Sequence, residues 1–384
     1  MGALQFLPVD GASLLQSAVW YGAFVLALFA GARLLPGIVR PGQSLKDGSR
    51  LRYKLSGLTL FLGTHLVLGV GVYFFDWSLR PLLTHFPSLF VVANIWALLV
   101  TAYLMSSAWS KGEGRLVQAR GAGPRLKAAA LDIWLGAELN PSVVGVDLKM
   151  HMYHPSLIGL VVLNAAFPFA QYELYGAVTV EMWIYEGFLW AYLFTHYIRE
   201  DFMLTTWDII AERFGFMLVW GDLVYVPFLY SMVGWWVLGR GWSDESGQWV
   251  HQPWPVAAVF ALVALHLFFH WVFRGANWQK DKFKRDPTVH IWGKPAEAIG
   301  DRLLVSGWWG IGRKINYSGE LGVYLSFALC AGFDSPWPYF LPFTLLVLLL
   351  QRAWRDDRKC REKYGPLWDE YCARTQFRVI PFFY

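Results

Sequence analysis

The chain has 384 residues, of which 56% are hydrophobic and only 16% charged, with 22 Trp, 28 Phe and 18 Tyr. That balance excludes an ordinary soluble globular domain, and several apolar runs near the roughly 20 residues needed to cross a bilayer make the protein polytopic. The formal charge of +5 is explained first by membrane topology rather than by an acidic partner, and no nucleic-acid module is visible.

The N-terminal MGALQFLPVDGASLLQS lacks the basic region and small-residue cleavage site of a secretory signal, so the first apolar run is expected to be a retained span. Apolar stretches predict membrane helices near 16–35, 56–75, 86–107, 155–172, 179–197, 215–238, 254–273, 320–333 and 337–350. Their connections alternate in charge. The 33–54 link carries Arg33, Arg40, Lys46, Arg50, Arg52 and Lys54, whereas 76–85 carries only Arg80. The 108–150 link is again basic, 173–178 holds no Lys or Arg, 239–253 holds Arg240 alone, and 275–302 is basic. The positive-inside rule therefore puts the first, third, fifth and seventh connections, with the basic C-terminal tail, in the cytoplasm. The predicted fold is all-α, a polytopic integral membrane helix bundle of about 9–10 transmembrane helices, the tenth arising if 303–317 also inserts. No internal repeat of the kind that builds inverted-repeat transporters is found.

Several constellations carry chemistry. Cys330, Cys360 and Cys372 have no CxxC spacing and encode neither a disulfide framework nor a zinc site. His266 and His270 form an HxxxH pair, but the other histidines are too scattered to complete a di-iron centre, so no metal is expected. Glu181, Glu186, Asp222 and Glu320 lie within spans and Asp147 just ahead of one; such costly acids point to a polar cavity or to bonds between helices. The tail from 351 holds Arg352, Arg355, Arg358, Lys359, Arg361 and Lys363 at helical spacing, suited either to anionic lipid or to the phosphates of a nucleotide. Lys280 and Lys284 in QKDKFKR share a second basic helix face. GIG and SGELG follow no strand in a βαβ pattern, so a Rossmann domain is rejected and any nucleotide must be held by a helix bundle.

LLVSGWWGIGRKINY (303–317), RDDRKCREKYGPLWDEYC (355–372) and the terminal FRVIPFFY resemble the C-terminal signature of the membrane sterol reductases. GAELNPSVVGVDLKMHMYHPSLIG, TTWDIIAERFGFMLVWGDLVYVPFLYS and FRGANWQKDKFKRDPTVHIWGKP resemble family blocks upstream, in the same order. IWGKP and the SPWPYF turn are more similar to the C7 (7-dehydrocholesterol) reductases than to the C14 group, and GFDSPWPYF is also similar to the C24(28) reductases.

The resemblance implies N-terminal transmembrane helices over 1–130 and a catalytic region over 131–384, with an NADPH pocket open to the cytoplasm and a sterol pocket open to the bilayer. The family's cofactor contacts fall on Lys280, Lys284, Leu304, Trp309, Asn316, Tyr317, Asp356, Cys360, Arg361, Glu362, Lys363, Tyr364 and Tyr371. Where the family commonly has Arg, Lys284 keeps the charge without the planar fork. Reduction of an unactivated alkene needs an acid near the nicotinamide and shelter from water. Asp356 and Tyr192 are the expected catalytic residues, although Thr195 replaces the acid of the family's YxxD motif and His196 stands next to it. Asp222 and Glu320 are reserve acids.

The expected activity is NADPH-dependent reduction of a sterol ring double bond, C7–C8 first, with C14 and then C24(28) as alternatives. The substrate would come from the bilayer, and the enzyme would reside in the endoplasmic reticulum of a eukaryote or the inner membrane of a bacterium. Membrane lipids are the other expected partners; the sequence is silent on oligomeric state. A methyltransferase of the isoprenylcysteine carboxyl type shares the KYG, EYC and IP pattern, but should lack SGWWG, QKDKFK and GDLVYVPF. A catalytically silent scaffold akin to part of the lamin B receptor should carry a basic N-terminal nuclear domain, whereas the first apolar run here begins by about residue 16.

Overall fold

The computed structural model describes residues 4–44, 48–239, 242–243, 249–250 and 254–383. Lys46, Arg240 and His251 of the predicted links lie outside them. Two compact units divide the chain, Met1–His251 and Gln252–Tyr384. This compact division is a different matter from the functional division expected at 130/131.

In the N-terminal unit the long helices are Gly11–Leu34, Gly57–Phe75, Phe86–Ser110, Leu148–Tyr175 and Val180–Ile198. Asp10 starts the first by accepting the Ser13 N–H at 2.8 Å, Asp147 caps the fourth through the Met150 N–H at 2.8 Å, and Thr179 caps the fifth. Their core joins Tyr21 and Val25 to Val92, Ala97, Met105, Met152, Leu163 and Phe228. Leu15, Val19, Leu26, Leu66, Val67, Leu98 and Leu99 stay exposed, the pattern of helices solvated by lipid rather than water. The last span of this unit, Phe216–Leu238, widens into a π-type stretch over Gly221–Leu229, where Pro227 removes one backbone donor.

The first basic link is not an open loop: Ile38–Ser44 and Arg50–Leu55 form an antiparallel hairpin that pairs Arg40 with Tyr53.

In the C-terminal unit, helix Val256–Arg285 packs along Ile315–Cys330, and Phe340–Tyr364 and Pro366–Arg374 follow. A side chain at Gly319 would enter the backbone of Phe273, and one at Gly322 would enter the Phe269 ring, so these glycines set how closely the two helices approach.

All nine predicted spans fall on helical segments, and six segments among the described residues are long and apolar enough to cross a membrane. Of the other three, Val180–Ile198 carries Glu181, Glu186 and His196, Ile315–Cys330 has only 16 residues, and Phe340–Tyr364 is charged along its second half. The segment 303–317, the optional tenth span, is not one continuous helix. Leu303–Leu304 pairs with Ala298–Ile299, the four-residue helix Trp308–Ile311 follows, and Gly312–Lys314 leads into the next helix.

Candidate functional site

The polar cluster of the C-terminal unit is built around the segment 303–317. Leu304 and Trp309 are buried with Val272, Ala276, Phe283, Ile291, Trp308 and Ile315. The Trp309 indole N–H donates to the Ala276 carbonyl at 2.8 Å, and the Trp308 backbone N–H donates to Gln279 Oε1 at 2.9 Å. Gly307 makes that turn at φ 60°, beside Gln279, where a Cβ would be strained and obstructed. The Lys280 ammonium lies over the Trp309 ring, 4.5 Å from its centroid.

Helix periodicity then gathers the remaining cations. Lys280 lies within electrostatic reach of Lys314 and Cys360, and Lys284 within reach of Lys280 and Lys363. Lys314 is buried and ion-paired with Asp356. The Cys360 thiol points to Asp356 Oδ1 at 3.9 Å, one turn along the same helix. Burial pushes the Cys360 thiol up, against the pull of Lys314 and Lys280, so it stays protonated near neutrality. Burial likewise pushes the Tyr371 phenol up. Tyr371 packs at 5.2 Å against Trp368, in a cluster with Ile299, Leu303, Cys360 and Tyr364.

Asn316 donates to Asn277 Oδ1 at 3.4 Å, while its own Oδ1 is buried without a partner; Asp357 Oδ1 is also buried and unpartnered. Orphaned acceptors beside a concentration of ammonium groups leave both amide-donor and anion chemistry unfilled.

Of the residues expected at the cofactor, the structure brings Lys280, Trp309, Asp356 and Cys360 into one cluster, with Lys284 and Lys363 on its edge. Leu304 packs with Trp309, Asn316 on the Ile315–Cys330 helix bonds Asn277 on the helix of Lys280, and Tyr364 and Tyr371 form an aromatic flank beside Cys360. Tyr317 is half-buried on the Ile315–Cys330 helix. Arg361 and Glu362 occupy the exposed side of theirs, with Arg361 3.4 Å from Asp369. Tyr192 belongs to the N-terminal unit, buried on Val180–Ile198. The Thr195 hydroxyl donates to the Ala191 and Tyr192 carbonyls at 2.9 Å each, and the His196 ring packs on Tyr197 at 5.0 Å.

Sequence reasoning left Arg313 and Lys314 without roles. Lys314 is the partner of Asp356, and Arg313 fastens the C-terminus: its Nη1 donates to the carbonyls of Thr375 at 2.6 Å and Gln376 at 3.1 Å. The backbone N–H groups of Arg313 and Lys314 donate to Phe377 and Arg378 at 2.9 and 2.8 Å, and Arg378 pairs with Asp357 at 2.5 Å. The RK dipeptide was visible, but its partners lie about 40 to 60 residues away in a register that only packing sets.

The model of the ergosterol biosynthesis ERG4/ERG24 family matches residues 13–384. The chain belongs to that family. A relative from Arabidopsis thaliana, named Delta(14)-sterol reductase, is 37% identical over 371 residues, covering 96% of each chain. One of the same name from Methylotuvimicrobium alcaliphilum is 37% identical over 389 residues, covering 96% of this chain and 83% of its own. The mouse Delta(14)-sterol reductase TM7SF2 is 35% identical, covering 97% and 85%. These names favour the C14 alternative over the C7 choice made from IWGKP and SPWPYF. In the structure both motifs are turns. IWGKP is a hairpin turning at Trp292 and Gly293, and SPWPYF is a 3-10 turn leading into the Phe340–Tyr364 helix, so both are turn chemistry.

Proposed function

We propose that this ERG4/ERG24 family member is an NADPH-dependent reductase of a sterol ring double bond, acting at C14. The observation that carries the cofactor reading is the cation cluster Lys280, Lys284, Lys314 and Lys363, of which Lys314 is ion-paired with Asp356, together with the unpartnered Asn316 Oδ1. These residues fit a dinucleotide phosphate. The lysines would bind its phosphate groups as charge-assisted donors, and the Asn316 acceptor suits the N–H of a carboxamide. Bound NADPH would supply a hydride to the ring carbon next to the one that receives a proton.

The protein's part is to orient, to shield and to move that proton. Asp356, held by the Lys314 ammonium, is an ionised acceptor in this arrangement and serves as the orienting carboxylate. Tyr192, buried on the Val180–Ile198 helix, is the proton donor in this reading, a role that suits a phenol kept from water. The region 131–384 carries the reaction. The basic connections set its cofactor side toward the cytoplasm, in the endoplasmic reticulum or a bacterial inner membrane, and the sterol enters from the bilayer.

Membranes containing the protein, incubated with NADPH and either an 8,14-dienol or a 5,7-dienol, test the reading. Loss of the C14 double bond is expected. Loss of the C7 bond alone would restore the C7 assignment, and loss of neither while a C24(28) substrate is reduced would remove both.

A further inference from the structure

A second polar cavity lies in the N-terminal unit, where the end of helix Gly11–Leu34, the strand Arg50–Leu55 and the entrance to helix Leu148–Tyr175 meet. Its volume is about 70 Å³. That is room for about two waters and far too little for a sterol. Arg33, Arg52 and Lys54 line it and are exposed, the Lys54 ammonium donating to the Arg33 carbonyl at 3.0 Å.

Two carboxylates also face the cavity, and both are engaged. Asp147 Oδ1 caps the helix through Met150, while Glu200 accepts the Gly57 N–H at 2.9 Å and stands 2.9 Å from His154 Nε2. His151 differs from all of these. It lines the cavity at 1% exposure with both ring nitrogens unpartnered, its ring 5.2 Å from Phe29 and 5.6 Å from His154. A buried imidazole without a hydrogen bond is costly, and an acceptor seated in the cavity removes that cost.

We propose that this cavity binds a single phosphate group. The phosphate accepts a hydrogen bond from His151 at the closed end and the charges of Arg33 and Arg52 at the mouth. Three cations against Asp147 and the His154-paired Glu200 leave a positive excess for it. The basic mouth at the end of a membrane helix admits either a free phosphate or the phosphodiester of an anionic lipid.

Thermal unfolding of the full chain in nanodiscs separates these sources. One arm adds millimolar inorganic phosphate to phosphatidylcholine discs at fixed ionic strength, and the other replaces part of the phosphatidylcholine by phosphatidylglycerol. The expected result is a rise in Tm of about 2 °C or more in at least one arm. A rise with phosphate assigns the free anion, and a rise confined to phosphatidylglycerol assigns the lipid.

The double variant Arg33→Gln/Arg52→Gln should lose the rise, whereas Arg120→Gln/Arg125→Gln, which removes the same charge from exposed positions elsewhere in the unit, should keep it. His151→Phe, which occupies the cavity without a donor, should also abolish the response. No rise in either arm, or a rise unchanged in Arg33→Gln/Arg52→Gln, overturns the proposal.

Discussion

Asp132 in the N-terminal unit and Asp356 in the C-terminal unit are both carboxylates held by a neighbouring cation, yet their surroundings differ in one respect that decides what each can do. Asp132 is closed. Its Oδ1 accepts the Arg115 N–H and Nη1 at 3.0 Å each, and its Oδ2 accepts the Leu116 N–H at 2.9 Å and the Trp109 indole at 3.2 Å. The knot pins the 111–135 connection with nothing left over. Around Asp356 the sums do not close: Lys280, Lys284, Lys314 and Lys363 outnumber the acids facing them, and Asn316 Oδ1 and Asp357 Oδ1 lack partners. A saturated polar cluster is structure, and an unsaturated one beside crowded cations is a place for a ligand.

The largest effect should come from the open cluster. Asp356→Ala should lower the rate of NADPH-dependent dienol reduction by about 10²-fold or more while leaving the protein folded in nanodiscs, because its contribution is orientation at the reacting end. Activity within a factor of two of the parent would remove Asp356 from the site.

Asp132→Ala should do the reverse. By stranding four donors it should cost about 2–3 kcal/mol of stability, read as a fall in Tm, with the rate per folded molecule unchanged. The same carboxylate gives a pH signature. Burial opposes its ionisation, but the Leu116 and Arg115 N–H groups, the Trp109 indole and the Arg115 guanidinium outweigh burial and hold its pKa below the usual carboxylate range. Its stabilisation is complete above the unfolded pKa near 3.9 and is lost as pH falls through the lower folded value. Asp132→Ala should therefore flatten the acid limb of the stability profile.

A smaller effect is expected where Arg313 fastens the C-terminal tail within the C-terminal unit. Arg313→Met frees the carbonyls of Thr375 and Gln376, so limited proteolysis should cut the tail beyond 374 faster, with a few-fold rise in the KM for NADPH. Unaltered cleavage would show that the backbone N–H groups of Arg313 and Lys314, donating to the carbonyls of Phe377 and Arg378, hold the tail alone.

Smallest of all should be the response of Cys360. In a Cys330→Ala/Cys372→Ala background its alkylation should rise only at a pH above that of a free thiol, since burial raises its pKa, and NADPH should slow it.

The sequence made the nine helical segments legible because apolar runs of membrane length leave few alternatives. The proposed cofactor residues were named from motifs, and the spacing of Asp356, Cys360 and Lys363 puts them on one face of their helix. Arg361 and Glu362 came along with the motif and are exposed, as Lys363 is, a facing that a contiguous block could not reveal. Pairings across long separations, Lys314 with Asp356 or Arg313 with Thr375, were not legible because they depend on the register of packed helices. Gly319 and Gly322 of SGELG, which follow no strand and so were rejected as a dinucleotide fingerprint, are contact points between two helices. The basic 33–54 link read as topology and folds as a hairpin at the mouth of a cavity.

The central claim is that the open cluster holds the nicotinamide cofactor's phosphates. Its most direct test is equilibrium binding of NADPH to the purified protein and to Lys280→Ala/Lys284→Ala, with Asp132→Ala as the control. Saturable binding by the parent and the control, weakened at least tenfold (about 1.4 kcal/mol) in the double lysine variant, is the predicted result. Equal binding by all three proteins would contradict it.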